Sequence, residues 1–263
     1  MDLGIKNKVA LVTAASQGLG KASAIELANE GVKLAICSRD QDKINQTAEE
    51  IQNLTGGEVL AVKADLDSTD DIENLIKEIE NKFNTVDILV NNTGGPKAGF
   101  FDDLSDEDWL KTFESTFLSA VRVTRKVLPF MKKNKWGRII NISSVSAKQP
   151  IDNLMLSNGV RMSIHGWAKT LSNQVASENI LINNVCPGFT HTERVDGLIK
   201  AQVENSNSSR EDIIESIASD IPAKRVGQAN ELAALVVFLS SEKASYITGQ
   251  SIAVDGGISS LPI

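Results

Sequence analysis

The chain is poor in the side chains that most often carry chemistry unaided. Its 263 residues include two cysteines, two histidines and a single tyrosine. Cys37 and Cys186 both sit in apolar, strand-like runs. They read as buried, reduced thiols rather than as a disulfide or a nucleophile. No apolar run approaches the length of a membrane span, and Met1–Lys8 has no apolar leader stretch. A cytoplasmic protein without a membrane partner is expected. Positive charge is also in deficit: 27 basic against 34 acidic residues leave a formal net charge of -7. That balance disfavours a nucleic-acid partner, because phosphate binding needs a basic stripe. The one basic cluster, Lys132, Lys133 and Lys135, is expected at a helix end, where cations complement the dipole.

What is present is an alternation of apolar strand-like runs and amphipathic stretches along almost the whole chain. Strands are expected over Lys8–Thr13, Lys33–Cys37, Val59–Lys63, Val86–Asn91, Gly137–Ile142, Leu181–Cys186 and Ser251–Val254. Helices are expected over Gly18–Glu30, Gln41–Leu54, Asp70–Phe83, Glu107–Lys132, Asn153–Ser177 and Glu231–Leu239. Short, nearly all-apolar strands separated by helices predict an α/β fold of one domain, residues 1–263. The expected architecture is a Rossmann-type, doubly wound parallel sheet flanked by helices. The polar segment Val203–Glu211 is expected to be an exposed loop, placed to act as a lid at the carboxyl edge of the sheet.

The first strand runs into Thr13-Ala14-Ala15-Ser16-Gln17-Gly18-Leu19-Gly20, which opens directly into a helix. Gly18 and Gly20 permit close approach of backbone to a pyrophosphate and of helix to sheet, with the helix N-terminus facing the anion. A glycine pair alone is equally a tight turn; its place after the first strand favours the cofactor reading. At the end of the second strand stands Arg39, followed by Asp40. An arginine there accommodates the 2′-phosphate of NADP(H), whereas an acidic residue would hold the ribose of NAD(H). Asp40 is expected to cap the next helix.

Further segments share an order and spacing with one family. They are Thr13–Gly20, Asp65-Leu66, Asn91-Asn92-Thr93-Gly94, Ile142-Ser143-Ser144, Pro187-Gly188, Ile247-Thr248-Gly249 and Asp255-Gly256-Gly257. Over essentially its whole length the sequence resembles the short-chain dehydrogenases/reductases, including members labelled 3-oxoacyl-carrier-protein reductases. The resemblance implies that Ala14, Ser16, Gln17, Gly18, Leu19 and Gly20 hold the pyrophosphate and that Asp65 and Leu66 flank the adenine. It also implies that Asn91 and Gly94 line the cofactor, and that Pro187, Gly188, Thr190 and Thr192 hold the nicotinamide carboxamide. Ala14 departs from the glycine usual there, and is tolerable if its φ stays negative. A substrate-loop insertion is expected at about residues 190–224, and assembly into a homotetramer or homodimer through the long helices.

The family's chemistry uses Asn, Ser, Tyr and Lys. Anchoring on Gly166-Trp167-Ala168-Lys169 places these at Thr116, Ser144, Ser157 and Arg161, so only the serine is retained. A serine oxygen reaches roughly 4 Å less far than a tyrosine hydroxyl, so Ser157 does not replace the missing acid. Losing a positioned acid typically forfeits about 10²–10⁴ in rate. Ser144 and Arg161 remain as stabilisers of an oxyanion, and Arg161 is also expected against the cofactor ribose. Such a pair suits conjugate hydride addition to an enone, and Ile217–Gly257 resembles a conjugate reductase that likewise lacks the tyrosine. Of the two histidines, His191 fits either an acid beside the nicotinamide or an exposed loop residue, and His165 a packing surface. The segment 92–96 reads equally as a substrate mouth or a plain turn. The expected function is therefore an atypical NADPH-dependent reductase of a small carbonyl or enone compound. The alternative is a catalytically silent NADP-binding sensor or partner module.

Overall fold

In the chain's computed structural model, which describes residues 1–204, 206 and 208–260, the expected strands form one sheet. The N-terminal half contains β1 (Val9–Val12), α1 (Gly18–Asn29), β2 (Lys33–Ser38), α2 (Gln41–Thr55), β3 (Val59–Lys63), α3 (Thr69–Phe83) and β4 (Ile88–Asn91). After α4 (Asp106–Thr112) come α5 (Ser119–Asn134), β5 (Gly137–Ile142), α6 (Met155–Val175) and β6 (Ile180–Pro187). The chain ends through α7 (Glu193–Glu204), α8 (Arg210–Asp220), α9 (Ala229–Leu239) and β7 (Ser251–Val254). All neighbouring strands are parallel, in the order β3-β2-β1-β4-β5-β6-β7. The order reverses between β1 and β4, so their loops diverge and open a crevice at the carboxyl edge.

Local chemistry sets the element ends. Asp40 caps α2 by accepting from the Lys43 amide, and Ser68 caps α3 by accepting from that of Asp71. Gly56 and Asn84 close the same two helices in the left-handed conformation. Successive strand residues then feed opposite faces of the sheet. Ala10, Val12, Leu34 and Ile36 pack with Leu27 of α1, Ile44 and Ile51 of α2, and Leu232 and Val236 of α9. Leu11, Ala35, Leu89 and Ile139 pack with Leu75 of α3, Val123 and Val127 of α5, and Ala168 of α6. Helices on both faces explain why the strands are apolar throughout.

One polar row crosses this core. Asn91, Asn141, Asn184 and Ser251 occupy matching register positions on β4, β5, β6 and β7. Each asparagine amide donates to the next residue at 2.9 Å. Asn91 Nδ2 also reaches Thr124 Oγ1 at 3.1 Å. Because each buried amide has a partner, the row pins strand register without leaving most of its polar groups unsatisfied.

Four expectations are corrected. Glu107–Lys132 is not one continuous α-helix: the π-helical turn Phe113–Leu118 separates α4 from α5 and buries Thr116. The region expected as a substrate loop at 190–224 instead carries α7 and α8. Its amphipathic pattern is weak, and Ser209 supplies a cap for α8 that a polar tract conceals. Of the loop expected at Val203–Glu211, residues 205 and 207 lie outside those described, while Glu204 ends α7 and Arg210 and Glu211 already belong to α8. Lastly, Ala14 has φ +46° rather than the negative value expected, because the turn between β1 and α1 demands a left-handed residue there.

Other expectations stand. Both cysteines are buried and free, and Lys132 and Lys133 occupy the last turn of α5. Among the described residues no helix is long and apolar enough to cross a membrane.

Candidate active site

A cavity of about 1000 Å³ opens at the carboxyl edge over the β1/β4 crevice. On one side the turn after β1 is fixed to the turn after β4. Thr13 Oγ1 donates to Asn92 O at 2.7 Å and accepts from the Asn92 amide at 2.8 Å. Asn92 Nδ2 donates to Ala14 O at 3.1 Å. Gly20 is required beneath this lock, since a Cβ there would stand 2.6 Å from both Ala14 O and Asn92 Nδ2. Gly18 has φ +58°. The N-cap of α1, Gln17, makes no capping hydrogen bond with its side chain.

The cavity is lined by Ala14, Ser16, Gln17, Gly18, Leu19, Arg39, Asp65, Leu66, Gly94, Pro187, Gly188, Thr190 and Thr192, as expected for the cofactor set. Ser144, Ser157 and Arg161 line the same space. Two expected residues are not part of the lining. Gly20 packs behind the turn, and Asn91 is committed to the asparagine row. The turn 92–96 does line the cavity, which favours the substrate-mouth reading over a plain turn.

Several polar groups of the cavity are left unmet by the protein itself. The uncapped N-terminus of α1 presents Gly18 and Leu19 to the cavity, the arrangement that binds a phosphate. Arg39 is exposed at the end of β2, and no carboxylate lies within ion-pairing distance of it among the described residues. Gly94 leaves open space where a Cβ would project. Asp40, in contrast, is occupied as the cap of α2, with Oδ1 accepting from the Lys43 amide at 3.1 Å. These groups fit a phosphorylated dinucleotide.

At the far end, Ser144 Oγ accepts from the Ser146 amide at 3.0 Å. The Ser146 and Ser157 hydroxyls are buried 2.9 Å apart. Arg161 is buried, and its Nη1 donates to the carbonyls of Ile142 and Ser143 at 3.0 and 3.1 Å. Burial, reinforced by the charge of Arg194, lowers its pKa to about 10, so it remains a cation at neutral pH. Part of its fork is thus spent on holding the end of β5, a limit that residue spacing alone does not reveal.

The remaining candidates for proton transfer lie elsewhere. The lone tyrosine, Tyr246, is fully exposed and outside the cavity. His191 is exposed and is not a lining residue, the second of its two readings. His165 Nε2 lies 2.9 Å from Ser143 Oγ behind the site, and burial lowers its pKa to about 4, with Lys148 and Arg161 adding to the effect. Burial raises the Cys186 thiol to about 11. Lining residues that sequence reading missed include Lys97, Lys111, Phe189, Glu193, Arg194 and Leu198. Arg194, two residues past Thr192, carried a usable signal: a cation beside a predicted ligand loop.

The Enoyl-(Acyl carrier protein) reductase family matches residues 13–259. The chain is 35% identical over 254 residues to the NADPH-dependent reductase BacG of Bacillus subtilis, covering 96% of this chain and 98% of that one. It is 32% identical over 253 residues to the 3-oxoacyl-[acyl-carrier-protein] reductase FabG of Staphylococcus epidermidis, covering 96% and 99%. The crystal structure of L-sorbose reductase from Gluconobacter frateurii, complexed with NADPH and L-sorbose, superposes with a TM-score of 0.95 at 31% identity, covering 99% and 100%. The sheet order, the turn after β1, the cavity at the switch point and these matches place the chain in the short-chain dehydrogenase/reductase family.

Proposed function

We propose that the chain is an NADPH-dependent reductase of a small carbonyl or enone substrate, working without the family's tyrosine acid. The observation that carries this reading is one cavity holding the α1 N-terminus, Arg39, Ser144, Ser157 and Arg161, with Tyr246 exposed outside it. NADPH, when bound, supplies the hydride.

Residues Ala14 and Ser16 to Leu19 hold the pyrophosphate, Arg39 the 2′-phosphate, and Asp65, Leu66 and Gly94 the adenine and ribose side. Pro187, Gly188, Thr190 and Thr192 hold the carboxamide. Gly188 is needed there, since a Cβ would meet Asp255 Cα at 2.8 Å. The Ser144 hydroxyl donates to the substrate oxygen, and Arg161 stabilises the negative charge that develops on it. Both act electrostatically. Arg161 is too basic to release its proton at neutral pH. Ser157 shares its hydroxyl with Ser146 and serves to position the Ser144 loop. An enolate suits this site better than an alkoxide, because it tolerates later protonation by water.

Self-association into a dimer or tetramer is part of the proposal. Leu110 of α4, Phe113 of the π-turn and Met162 of α6 leave large apolar side chains exposed, which supports a partner surface on these helices.

The test follows NADPH oxidation with matched panels of saturated ketones, β-ketoacyl thioesters and enones. Turnover of enones alone supports conjugate reduction. Efficient reduction of simple ketones or thioesters overturns the mechanism and implies an unassigned proton donor. Tight NADPH binding without turnover of any panel member supports the sensor reading instead.

A further inference from the structure

We infer that the substrate carries a carboxylate and that Arg194 is the residue that holds it. The inference rests on the proposed reductase reading and specifies the substrate class of that same cavity.

Arg194 lies in the first turn of α7, and its guanidinium lies over Gly95 in the turn after β4. A Cβ at position 95 would stand 2.6 Å from Arg194 Nε and 3.1 Å from Cζ. Any other residue at 95 would therefore displace the guanidinium. Nη2 donates to the Pro96 carbonyl, which fixes the plane of the fork. Ile151, Leu154 and Leu198 line the same cavity, so it offers apolar surface as well as the charge.

Among the described residues the charge has no counter-ion. Among the described residues no carboxylate lies within 4.0 Å of either Arg194 or Arg161. Glu193, the nearest acid in sequence, directs Oε2 towards the position a Cβ would take on Gly18, 3.4 Å away. Two guanidiniums thus line one cavity with no acidic partner among the described residues, Arg161 buried and Arg194 exposed, and the charge of Arg194 disfavours that of Arg161. Cations held in this way are stabilised by an anion bound between or beside them. The cofactor phosphates have separate partners at Arg39 and at the α1 N-terminus. The anion that remains to be supplied belongs to the substrate. A guanidinium with a fixed plane matches a planar carboxylate by two parallel hydrogen bonds.

The geometry divides the labour. Arg194 anchors the acid, the apolar surface takes the carbon chain, and the carbonyl oxygen falls to Ser144 and Arg161. Neutral sugars or ketones lose the first of these contacts. A substrate esterified at the acid loses its charge and also crowds the slot over Gly95.

The experiment is calorimetric titration of the NADP⁺-loaded protein with two matched pairs, levulinate with methyl levulinate and benzoylacrylate with its methyl ester. NADPH and NADP⁺ affinities are measured first on each variant, so failure of cofactor binding in the wild type counts against the proposed function alone. Each acid is expected to bind at least about tenfold more tightly than its ester, the scale of one charge-assisted contact. Arg194→Gln is expected to abolish the preference, and Arg194→Lys to retain part of it, with cofactor affinity unchanged in both. Equal affinity of acid and ester overturns the inference, as does an acid that fails to bind at about 10 mM. So does a preference that survives in Arg194→Gln. A loss of NADP⁺ affinity of about tenfold or more in that variant also overturns it, by assigning Arg194 to a cofactor phosphate.

Discussion

The Ser157 hydroxyl lies 2.9 Å from that of Ser146, and both are buried. The position at which the family resemblance places its acid is therefore occupied by a side chain already committed to its neighbour. Ser146 in turn donates its amide to Ser144 Oγ at 3.0 Å. The two links tie α6 to the loop that carries Ser144.

Ser157→Ala leaves the Ser146 hydroxyl without its buried partner. The expected cost is about 1–3 kcal/mol of stability, read from urea unfolding, with kcat reduced less than about tenfold. Ser144→Ala is expected to lower kcat by about 10²–10³, the scale of one oxyanion donor, with NADPH binding retained. If Ser157→Ala proves the more damaging to kcat, Ser157 contacts the reacting atoms and the positioning role is wrong.

Ala14 holds a left-handed backbone with φ +46°. A side chain in that region costs about 1–2 kcal/mol, and glycine returns about 0.5–1 kcal/mol of that as unfolded-chain entropy. Ala14→Gly is thus expected to stabilise the protein by about 0.5–1 kcal/mol, raising the melting temperature by about 1–4 °C. Ala14→Val, branched at Cβ, is expected to lower it. A lower melting temperature in the glycine variant would show that the turn is not strained.

Arg39 lines the cavity at the end of β2 and is expected to distinguish the two dinucleotides. Arg39→Asp removes the proposed partner of the 2′-phosphate and offers a carboxylate to a ribose hydroxyl. NADPH affinity is expected to fall about 100-fold, the value of a charge-assisted pair, while NADH affinity rises. Fluorescence titration of both reduced cofactors reads this directly. Equal losses for NADPH and NADH would remove Arg39 from phosphate recognition.

His165 is held neutral by burial, with its pKa lowered from 6.5 to about 4 and its Nε2 2.9 Å from Ser143 Oγ. In this window the unfolded chain binds the proton and the folded chain does not. Stability therefore rises with pH from about 4 to 6.5 and is lost on acidification through the same range. The full shift corresponds to at most about 3 kcal/mol, and partial hydration of the ring reduces this to about 1–2 kcal/mol. His165→Gln keeps a hydrogen-bonding group and is expected to flatten the stability profile between those pH values. A profile identical to wild type would place the acid sensitivity elsewhere.

The layered architecture, and most of the residues that line the cavity around the turn after β1, were legible in the sequence. Apolar runs read as strands because both faces of each are covered, and Asp40 and the Gly18–Gly20 turn act through local backbone chemistry that a short stretch specifies. Free thiols at Cys37 and Cys186 were legible for the same reason, since each lies in a run too apolar to face water. The features that were not legible depend on contacts between distant segments. The sign of φ at Ala14 follows from the lock between Thr13, Asn92 and the helix packed on Gly20. Asn91, expected to line the cofactor, is drawn into a row across four strands because its register partner is Asn141. The break at Phe113–Leu118 and the helices after Thr192 escaped because their amphipathic patterns are short or weak and their faces are set by what they cover. Arg194 meets Gly95 and Pro96, the latter 98 residues away in the chain, only because the loops after β4 and β6 leave the same edge of the sheet. Long-range packing of that kind leaves no periodic trace in sequence, and it shapes the substrate side of the cavity.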